Sequence, residues 1–205
     1  MNRLLLFDVD STLINEEVIE LIAAHAGVER EVKEITDRAM AGEIDFEESL
    51  RKRVALLKGL PVSVLADVQA KVTLTNGASE LVANLFKDQD TVAVVSGGFI
   101  EVITPLMQNL GIQHFKANKL EVEDGFLTGK VEGEVIDRLA KARFLNQLKA
   151  KLSPTLTIAI GDGANDIDMI EAADVGIAFC AKEALNKVAD IVISKRDLRE
   201  VLEYI

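Results

Sequence analysis

The chain has 205 residues, of which 49% are hydrophobic, and this fits a globular protein with one domain or a core plus a small insert. Its 23 basic and 34 acidic residues give a net charge of −11, which argues against nucleic acid or an anionic membrane surface as the main partner because both attract positive charge. The single cysteine, Cys180, excludes an intrachain disulfide, and no apolar run approaches the ~18 residues of a membrane span. The amino-terminal apolar run, residues 4–7, is too short for a signal peptide, so we expect a cytoplasmic protein.

Short apolar runs alternate with amphipathic segments along most of the chain. Each run is continuous, which is typical of strands buried on both faces of a parallel sheet. The predicted strands span residues 4–7, 91–95, 156–160, 175–179 and 191–193. The predicted helices between them span residues 78–86, 100–110, 137–151, 166–173 and 182–188. The alternation predicts right-handed βαβ units and therefore an α/β protein with a doubly wound, Rossmann-like parallel sheet.

Two segments interrupt this alternation. Residues 15–74 have the pattern of consecutive amphipathic helices, predicted at residues 16–26, 29–41, 46–57 and 62–71. We therefore expect a discontinuous core of residues 1–14 and 75–205, with residues 15–74 inserted as a helical cap domain. Residues 120–131 are typical of two short strands around the turn pair Asp124-Gly125, which favours a hairpin.

The first cluster of chemistry-bearing residues, Asp8-Val9-Asp10-Ser11-Thr12, directly follows the first predicted strand. Two carboxylates at the end of a buried strand are costly unless they bind something. One Asp in such a place is also an ordinary turn or cap residue, and a calcium loop would need a glycine where Leu13 stands. The pair fits phosphoryl chemistry better, with one acid as the nucleophile and the other as a proton donor.

Two further polar clusters follow later strands, and the carboxyl ends of parallel strands meet in one crevice. Ser96-Gly97-Gly98 precedes a predicted helix and would offer backbone N–H groups to an anion, although strand-to-helix turns also use such residues for geometry alone. The third cluster, Gly161-Asp162-Gly163-Ala164-Asn165-Asp166, lacks the pattern of a dinucleotide fingerprint, and its carboxylates would repel a pyrophosphate. Oxygen ligands of this kind favour Mg²⁺.

In this order, the clusters resemble the motifs of the haloacid-dehalogenase-type phosphatases, with Lys141 at the position of the family's motif lysine. Within that family, several segments are similar to those of the phosphoserine phosphatases. These segments are residues 8–14 with Glu17, and residues 49–54, 94–99, 129–134 and 179–182. The similarity extends over nearly the whole chain, including the helical insert.

The resemblance implies a Mg²⁺-dependent hydrolysis of O-phospho-L-serine to serine and phosphate, which is the last step of serine biosynthesis. It makes Asp8 the nucleophile that becomes an aspartyl-phosphate, and Asp10 the general acid and base. The metal ligands that it implies are the Asp8 carboxylate, the Asp10 backbone carbonyl and Asp162. The phosphate-binding residues that it implies are Ser96, Gly97, Lys141 and Asn165, with Asp166 supporting Lys141 or a metal-bound water.

The resemblance also implies substrate-binding residues in the helical insert. Glu17 would bind the ammonium group of phosphoserine and Arg53 its carboxylate, with Met40 and Phe46 lining the lid. From the residues alone, Arg53 is typical of a solvated helix face because basic residues precede it, and Glu17 is typical of an acid in the first turn of a helix. A closed lid would exclude water during the first step.

Two enzyme alternatives use the same catalytic residues: phosphoryl transfer from phosphoserine to homoserine, and hydrolysis of another small phosphomonoester. A more distant alternative is a non-enzymatic phospho-acceptor domain like a response-regulator receiver, which also places an acceptor Asp and a Lys on a doubly wound sheet. A receiver has no use for Asp10 or for a helical insert. Because the first predicted strand begins at about residue 3, we expect no amino-terminal regulatory domain.

Overall fold

A computed structural model describes residues 2–40 and 43–205 of the chain, with the Met40 side chain outside the described part. Within these residues the strands are β1 (Arg3–Phe7), β2 (Thr91–Phe99), β3 (His114–Glu123), β4 (Phe126–Glu132), β5 (Leu156–Gly161), β6 (Val175–Phe179) and β7 (Ile191–Ile193). They form one sheet in the order β4-β3-β2-β1-β5-β6-β7. Neighbouring strands run parallel except for β3 and β4, which form the predicted hairpin. The predicted α/β fold with a doubly wound sheet is therefore confirmed.

The helices occupy the segments between the strands, close to the predicted positions. They are α1 (Val18–Ala26), α2 (Glu29–Met40), α3 (Phe46–Ala55), α4 (Val64–Lys71), α5 (Ala78–Lys87), α6 (Ile100–Leu110), α7 (Arg138–Leu152), α8 (Ile167–Ala172) and α9 (Glu183–Asn186). Short 3₁₀ turns lie at Ala164–Asp166 and Leu198–Glu203. Gly27 and Gly111 end α1 and α6 in the left-handed conformation, which glycine adopts without steric cost.

The sheet is covered on both faces, and the alternation of side chains along each strand separates the two cores. In β1, Leu5 and Phe7 belong to the core that includes α5, α6 and the helices of residues 15–74, whereas Leu4 and Leu6 belong to the core beneath α7 and α8. All four side chains are fully buried. Burial on both faces is the physical reason for the continuous apolar runs in the sequence.

The strand order reverses at β1, which lies between β2 and β5. The chain adds β2 and β3 on one side of β1 and then returns to add β5, β6 and β7 on the other. In open α/β sheets, ligands bind beyond the carboxyl ends of the strands at such a switch point. Asp8 follows β1 and Asp162 follows β5, so both lie at this position.

Residues 15–74 leave and rejoin the sheet through two adjacent chain segments. Asn15 N donates to Thr73 O at 3.0 Å, and Thr75 N donates to Leu13 O at 3.0 Å. The four helices between these segments bury apolar side chains in the same core as β1 and β2. No helix in the described residues combines the length and the apolar character that crossing a bilayer requires.

The structure corrects the predicted end of β2. The prediction ended the strand at residue 95 and placed Ser96-Gly97-Gly98 in the turn before a helix, whereas β2 extends to Phe99 and α6 begins at Ile100. Pairing with β3 is irregular between Val95 and Phe99, so these residues bulge from the ladder while staying extended. Helix α6 still begins at residue 100, as the sequence predicted.

Candidate active site

A buried lysine joins two carboxylates at the carboxyl edge of the sheet. Lys141 Nζ, on α7, donates to Asp8 Oδ1 and to Asp166 Oδ1, each at 2.6 Å. Because the Lys141 side chain is 0% exposed, these carboxylates rather than water compensate its charge. Burial alone would lower the pKa of Lys141, but Asp166 and Asp8 outweigh burial and raise the pKa. Lys141 is therefore a cation fixed beside the predicted nucleophile.

The Gly161–Asp166 turn is built around the Asp166 carboxylate. Asp166 Oδ2 accepts the backbone N–H groups of Asp162 and Gly163, each at 3.1 Å. A Cβ atom at Gly161 would collide with this carboxylate, so only glycine allows the approach. Both oxygens of Asp166 thus accept hydrogen bonds, and the residue contacts Lys141 Nζ together with Asp8.

Burial changes the acidity of the other carboxyl groups in the cluster. It raises the pKa of Asp8 to about 7 and that of Asp162 to about 8, and repulsion from neighbouring carboxylates adds to both shifts. Burial also holds the pKa of Asp10 well above its usual range, helped by repulsion from Glu17 and Asp8. Lys141 counteracts the shift of Asp8 through direct contact. Burial thus disfavours ionisation of all three carboxyl groups, which suits Asp10 to carry a proton, while the contact with Lys141 partly offsets this effect at Asp8.

The acidic cluster can hold a metal ion. Asp8, Asp162 and Asp166 each offer a carboxylate oxygen, and these oxygens lie within 4.8 Å of one another. Asp10 Oδ1 is buried and has no hydrogen-bond partner among the described residues. Oxygen donors with an excess of negative charge over one lysine suit a hard divalent cation. A bound cation would lower the pKa of the carboxyl groups that it contacts, which opposes the effect of burial.

The Ser96-Gly97-Gly98 segment approaches this cluster from β2. Gly98 N donates to Ser96 Oγ at 2.8 Å, so this N–H is already satisfied within the segment. A Cβ atom at Gly98 would lie 3.1 Å from Asp10 Oδ2. The Gly97 carbonyl accepts from Asn118 Nδ2 at 2.8 Å, which fixes the bulge against β3. The segment is thus close to the carboxylates that are predicted to be catalytic, and Gly97 faces the cavity beside them.

Glu17 is held at the edge of the site by the turn that follows β1. Ser11 Oγ donates to Glu17 Oε1 at 2.7 Å, and Ser11 has a φ of 58°, which is uncommon for a residue with a side chain. Glu17 was expected in the first turn of a helix, but it immediately precedes α1, with a φ of −94° and a ψ of 109°. In this position the Glu17 carboxylate is near enough to Asp10 to help raise the Asp10 pKa by repulsion.

Arg53 contradicts the solvated-face interpretation because only 8% of its surface is exposed. Its Nη1 donates to Thr36 Oγ1 at 3.3 Å and its Nε donates to Ser49 O at 3.4 Å. Burial lowers the pKa of Arg53, and Glu17 and then Asp10 oppose that shift. No carboxylate among the described residues forms a salt bridge with Arg53, so its guanidinium has donors available for an anionic ligand.

A cavity of about 380 Å³ collects most of the predicted residues in one place. The predicted residues that line it are Asp8, Asp10, Glu17, Phe46, Arg53, Gly97, Asp162 and Asn165. The other predicted residues, Ser96, Lys141 and Asp166, are fully buried around the cavity rather than in its lining. The predicted contribution of Met40 falls on a side chain outside the described residues.

Four polar residues in or near the cavity were not predicted as site residues. Thr36, Arg138 and Lys182 line it, and Arg138 Nη2 pairs with Asp168 Oδ1 at 2.5 Å. Asn118 supports the Gly97 bulge and also accepts from Ile136 N at 2.7 Å through Oδ1. A polar residue within a strand could have marked Asn118, and Lys182 lies in the segment 179–182 that resembles the family. Nothing in the pattern separates Thr36 and Arg138 from ordinary helix residues.

Comparison with known proteins agrees with this geometry. Residues 5–171 match the family model of the haloacid dehalogenase-like hydrolases. The phosphoserine phosphatase of Methanocaldococcus jannaschii is 50% identical over 205 residues, which cover 99% of this chain and 97% of that protein.

Two solved structures have nearly the same fold. A phospho-aspartyl intermediate analogue of phosphoserine phosphatase superimposes with a TM-score of 0.95 at 50% identity, covering 100% of this chain and 99% of the other. A substrate-bound phosphoserine phosphatase complex gives a TM-score of 0.95 at 49% identity, with the same coverage. The chain belongs to the haloacid dehalogenase-like hydrolases and, within them, to the phosphoserine phosphatase family.

Proposed function

We propose that the chain hydrolyses O-phospho-L-serine to serine and phosphate, with Mg²⁺ as its metal and an aspartyl-phosphate on Asp8 as the intermediate. One observation carries the substrate assignment: Arg53 and Glu17 line the same cavity as Asp8 and Asp10. A ligand that fills this cavity meets a buried cation, an acid and a phosphoryl-transfer pair. Phosphoserine has a matching carboxylate, ammonium group and phosphate, and phosphoserine phosphatase is what the similar proteins are called.

In the first step, an Asp8 carboxylate oxygen attacks phosphorus, and the bond from phosphorus to the seryl oxygen breaks. Asp10 gives its proton to the departing seryl oxygen, which leaves as the serine hydroxyl. Lys141 compensates negative charge next to Asp8 throughout, because its contact with that carboxylate is fixed by Asp166. Ser96, Gly97 and Asn165 are the proposed contacts for the phosphoryl oxygens.

In the second step, Asp10 takes a proton from water, and the resulting hydroxide attacks phosphorus. The bond between phosphorus and the Asp8 oxygen then breaks, which releases phosphate and restores both carboxyl groups. Asp8, Asp162 and the Asp10 backbone carbonyl are the proposed ligands of Mg²⁺. When bound, Mg²⁺ supplies positive charge that draws the nucleophile and the phosphate together and stabilises the transition state.

We further propose that residues 15–74 act as a cap over a core of residues 1–14 and 75–205. The two paired connections at residues 13–15 and 73–75 support this division, because they bring the two ends of the insert together between β1 and α5. Arg53, Phe46 and Glu17 would then belong to the cap and bind the part of the substrate that differs between phosphomonoesters. The cytoplasmic location expected from the sequence stays a prediction.

The experiment is a phosphomonoester panel with Mg²⁺, in which phosphoserine is compared with phosphoethanolamine, phosphoglycolate and a sugar phosphate. Phosphoethanolamine lacks the carboxylate that Arg53 would bind, and phosphoglycolate lacks the ammonium group that Glu17 would bind. We expect the highest kcat/KM for phosphoserine, loss of turnover with a chelator, and no activity of Asp8→Asn. A higher kcat/KM for the sugar phosphate would refute the substrate. Formation of phosphohomoserine on adding homoserine would identify a transferase instead.

A further inference from the structure

Helix α3 carries three residues that line the cavity, and it contacts the core of the protein at both ends. The lining residues are Phe46, Leu50 and Arg53. At its first residue, Phe46 packs on Gly97 of β2, where a Cβ atom would lie 3.0 Å from Phe46 Cζ. This contact belongs to the site described above. The contact at the other end of α3 is made with the β3–β4 hairpin, to which no role has been assigned.

Gly129 in β4 allows the close approach of the hairpin to the end of α3. A Cβ atom at Gly129 would lie 2.9 Å from Lys58 Cβ and 3.2 Å from Ala55 O, so the helix end fits only against a glycine. Gly129 also has a φ of 83°, in the left-handed region that glycine favours. Ala55 is two residues beyond Arg53, so a displacement here reaches the guanidinium within one helical turn.

Backbone hydrogen bonds join the segment after α3 to the edge of the hairpin. Gly59 N donates to Leu127 O at 2.8 Å, and Leu127 N donates to Leu60 O at 2.8 Å. Val62 N donates to Gly125 O at 2.9 Å. The loop thus covers the edge of β4 like a short additional strand, and such bonds hold the loop in register. This attachment is separate from the connections at residues 13–15 and 73–75.

We propose that the β3–β4 hairpin is a specificity-determining element, which seats α3 through Gly129 and thereby sets the position of Arg53 relative to Asp8 and Asp10. This inference rests on the proposed function, because it takes Arg53 as the contact for the substrate carboxylate. Gly129 is a positioning residue that does not touch substrate. The seating of α3 by Gly129 also gives a physical role to the segment of residues 129–134, which resembles the family but contains none of the catalytic groups.

Gly129→Ala tests the proposal, with Gly133→Ala as the matched control. Gly133 follows the same strand and has a φ of 77°, but a Cβ atom there meets nothing within 4 Å. Both variants therefore carry a similar backbone strain, but only the methyl group of Gly129→Ala collides with the end of α3 and the residue Lys58 that follows it. Misplacing a binding group by about 1 Å can cost up to ~100-fold, so we expect Gly129→Ala to raise KM for phosphoserine roughly tenfold or more. We expect its kcat, and the inhibition constant of inorganic phosphate, to change less than about threefold.

Hydrogen–deuterium exchange supplies a readout that does not need activity. Gly129→Ala should speed exchange at the amides of Gly59, Val62 and Leu127, while Gly133→Ala leaves them protected as in the wild type. If Gly129→Ala does not fold, the double variant with Lys58→Gly removes the nearest atom that the added methyl group meets. That double variant should fold and keep part of the KM increase.

The results separate this inference from the proposed function. If the two glycine variants raise KM for phosphoserine equally, or if exchange at the three amides does not differ between them, the hairpin does not set Arg53 and the inference is wrong. If the wild type does not turn over phosphoserine, the proposed function fails and the specificity role fails with it. The exchange data would then still decide whether the hairpin holds α3.

Discussion

Replacement of Asp10 by asparagine separates a catalytic proton carrier from a carboxylate that merely caps a turn. Asp10 Oδ1 is buried and unpartnered among the described residues, and the neighbouring charges of Glu17 and Asp8 help to raise the Asp10 pKa. An asparagine has nearly the same shape and removes a group that repels its neighbours. Asp10→Asn should therefore fold with unchanged or slightly higher stability. It cannot, however, give a proton to the departing seryl oxygen or take one from water.

The expected loss follows from the role assigned to Asp10. General acid–base catalysis contributes roughly 10²–10⁴-fold. Since each factor of ten corresponds to ~1.36 kcal/mol, the barrier should rise by about 3–5 kcal/mol. Asp10 acts in both steps, so the loss should lie near the upper part of this range. KM for phosphoserine should change little because Asp10 is not among the proposed contacts for the carboxylate or the ammonium group.

The assay compares steady-state hydrolysis of phosphoserine and thermal unfolding for the wild type, Asp10→Asn and Asp67→Asn. Asp67 is exposed on α4 and serves as the matched control. We expect Asp10→Asn to lose at least about 100-fold in kcat with a Tm equal to or slightly above that of the wild type, and Asp67→Asn to behave as wild type. Turnover of Asp10→Asn within about tenfold of the wild type would refute the reasoning. If Asp8 is phosphorylated in Asp10→Asn as fully as in the wild type, the result would favour a receiver-like acceptor.

Three further predictions address the lysine, the arginine and the metal. Arg53→Lys loses the planar fork, so KM for phosphoserine should rise about 10–100-fold with a smaller change in kcat, and an unchanged KM would contradict a role for Arg53 in binding. Lys141→Met leaves the carboxylates of Asp8 and Asp166 without their buried cation, so it should lower the free energy of unfolding by about 3–5 kcal/mol. Chemical denaturation measures this loss, and a free energy of unfolding equal to that of the wild type would exclude a buried ion pair. In the metal-free protein, the pKa values of about 7 for Asp8 and about 8 for Asp162 lie above those of the unfolded chain, so the folded state binds more protons and stability should fall as pH rises from 6 to 8. Added Mg²⁺ should therefore raise Tm more at pH 8 than at pH 6, and the reverse order would contradict the assigned ligands.

Local pattern predicts the sheet well because the physical cause is local. Residues 4–7 are apolar throughout and residues 156–160 are apolar except for Thr157, as expected of strands covered on both faces. They appear in the structure as β1 and β5, each with an additional residue at one end. The placement of Asp8 and Asp162 at the carboxyl edge of the sheet then follows, since each is the first residue after its strand. The hairpin turn is equally local, because Asp124 and Gly125 adopt φ values of 50° and 82° in the turn that their pair favours.

Long-range contacts decide the features that the pattern did not predict. Ser96-Gly97-Gly98 stays extended because β2 resumes its pairing with β3 at Phe99. The sequence around residues 96–98 does not indicate where β3 lies. Arg53 is buried because Thr36 and Ser49 surround it, although its neighbours in sequence are solvated bases. The contact between Lys141 and Asp8 joins residues 133 positions apart; the family resemblance indicated that Lys141 belongs to the site, but not this contact. The sequence pattern thus predicts where helices and strands lie, whereas packing between these elements decides which charged side chains are buried together in the site.

The most direct test of the central claim maps the phosphoryl group during turnover of phosphoserine with Mg²⁺. The reaction is stopped by rapid acid quench, the protein is reduced with borohydride, and its peptides are analysed by mass spectrometry. An aspartyl-phosphate is reduced to homoserine, so the account predicts homoserine at position 8 that appears with phosphoserine and disappears in Asp8→Asn. Reduction at another acidic residue, or turnover of phosphoserine with no modified residue at position 8, would contradict the account.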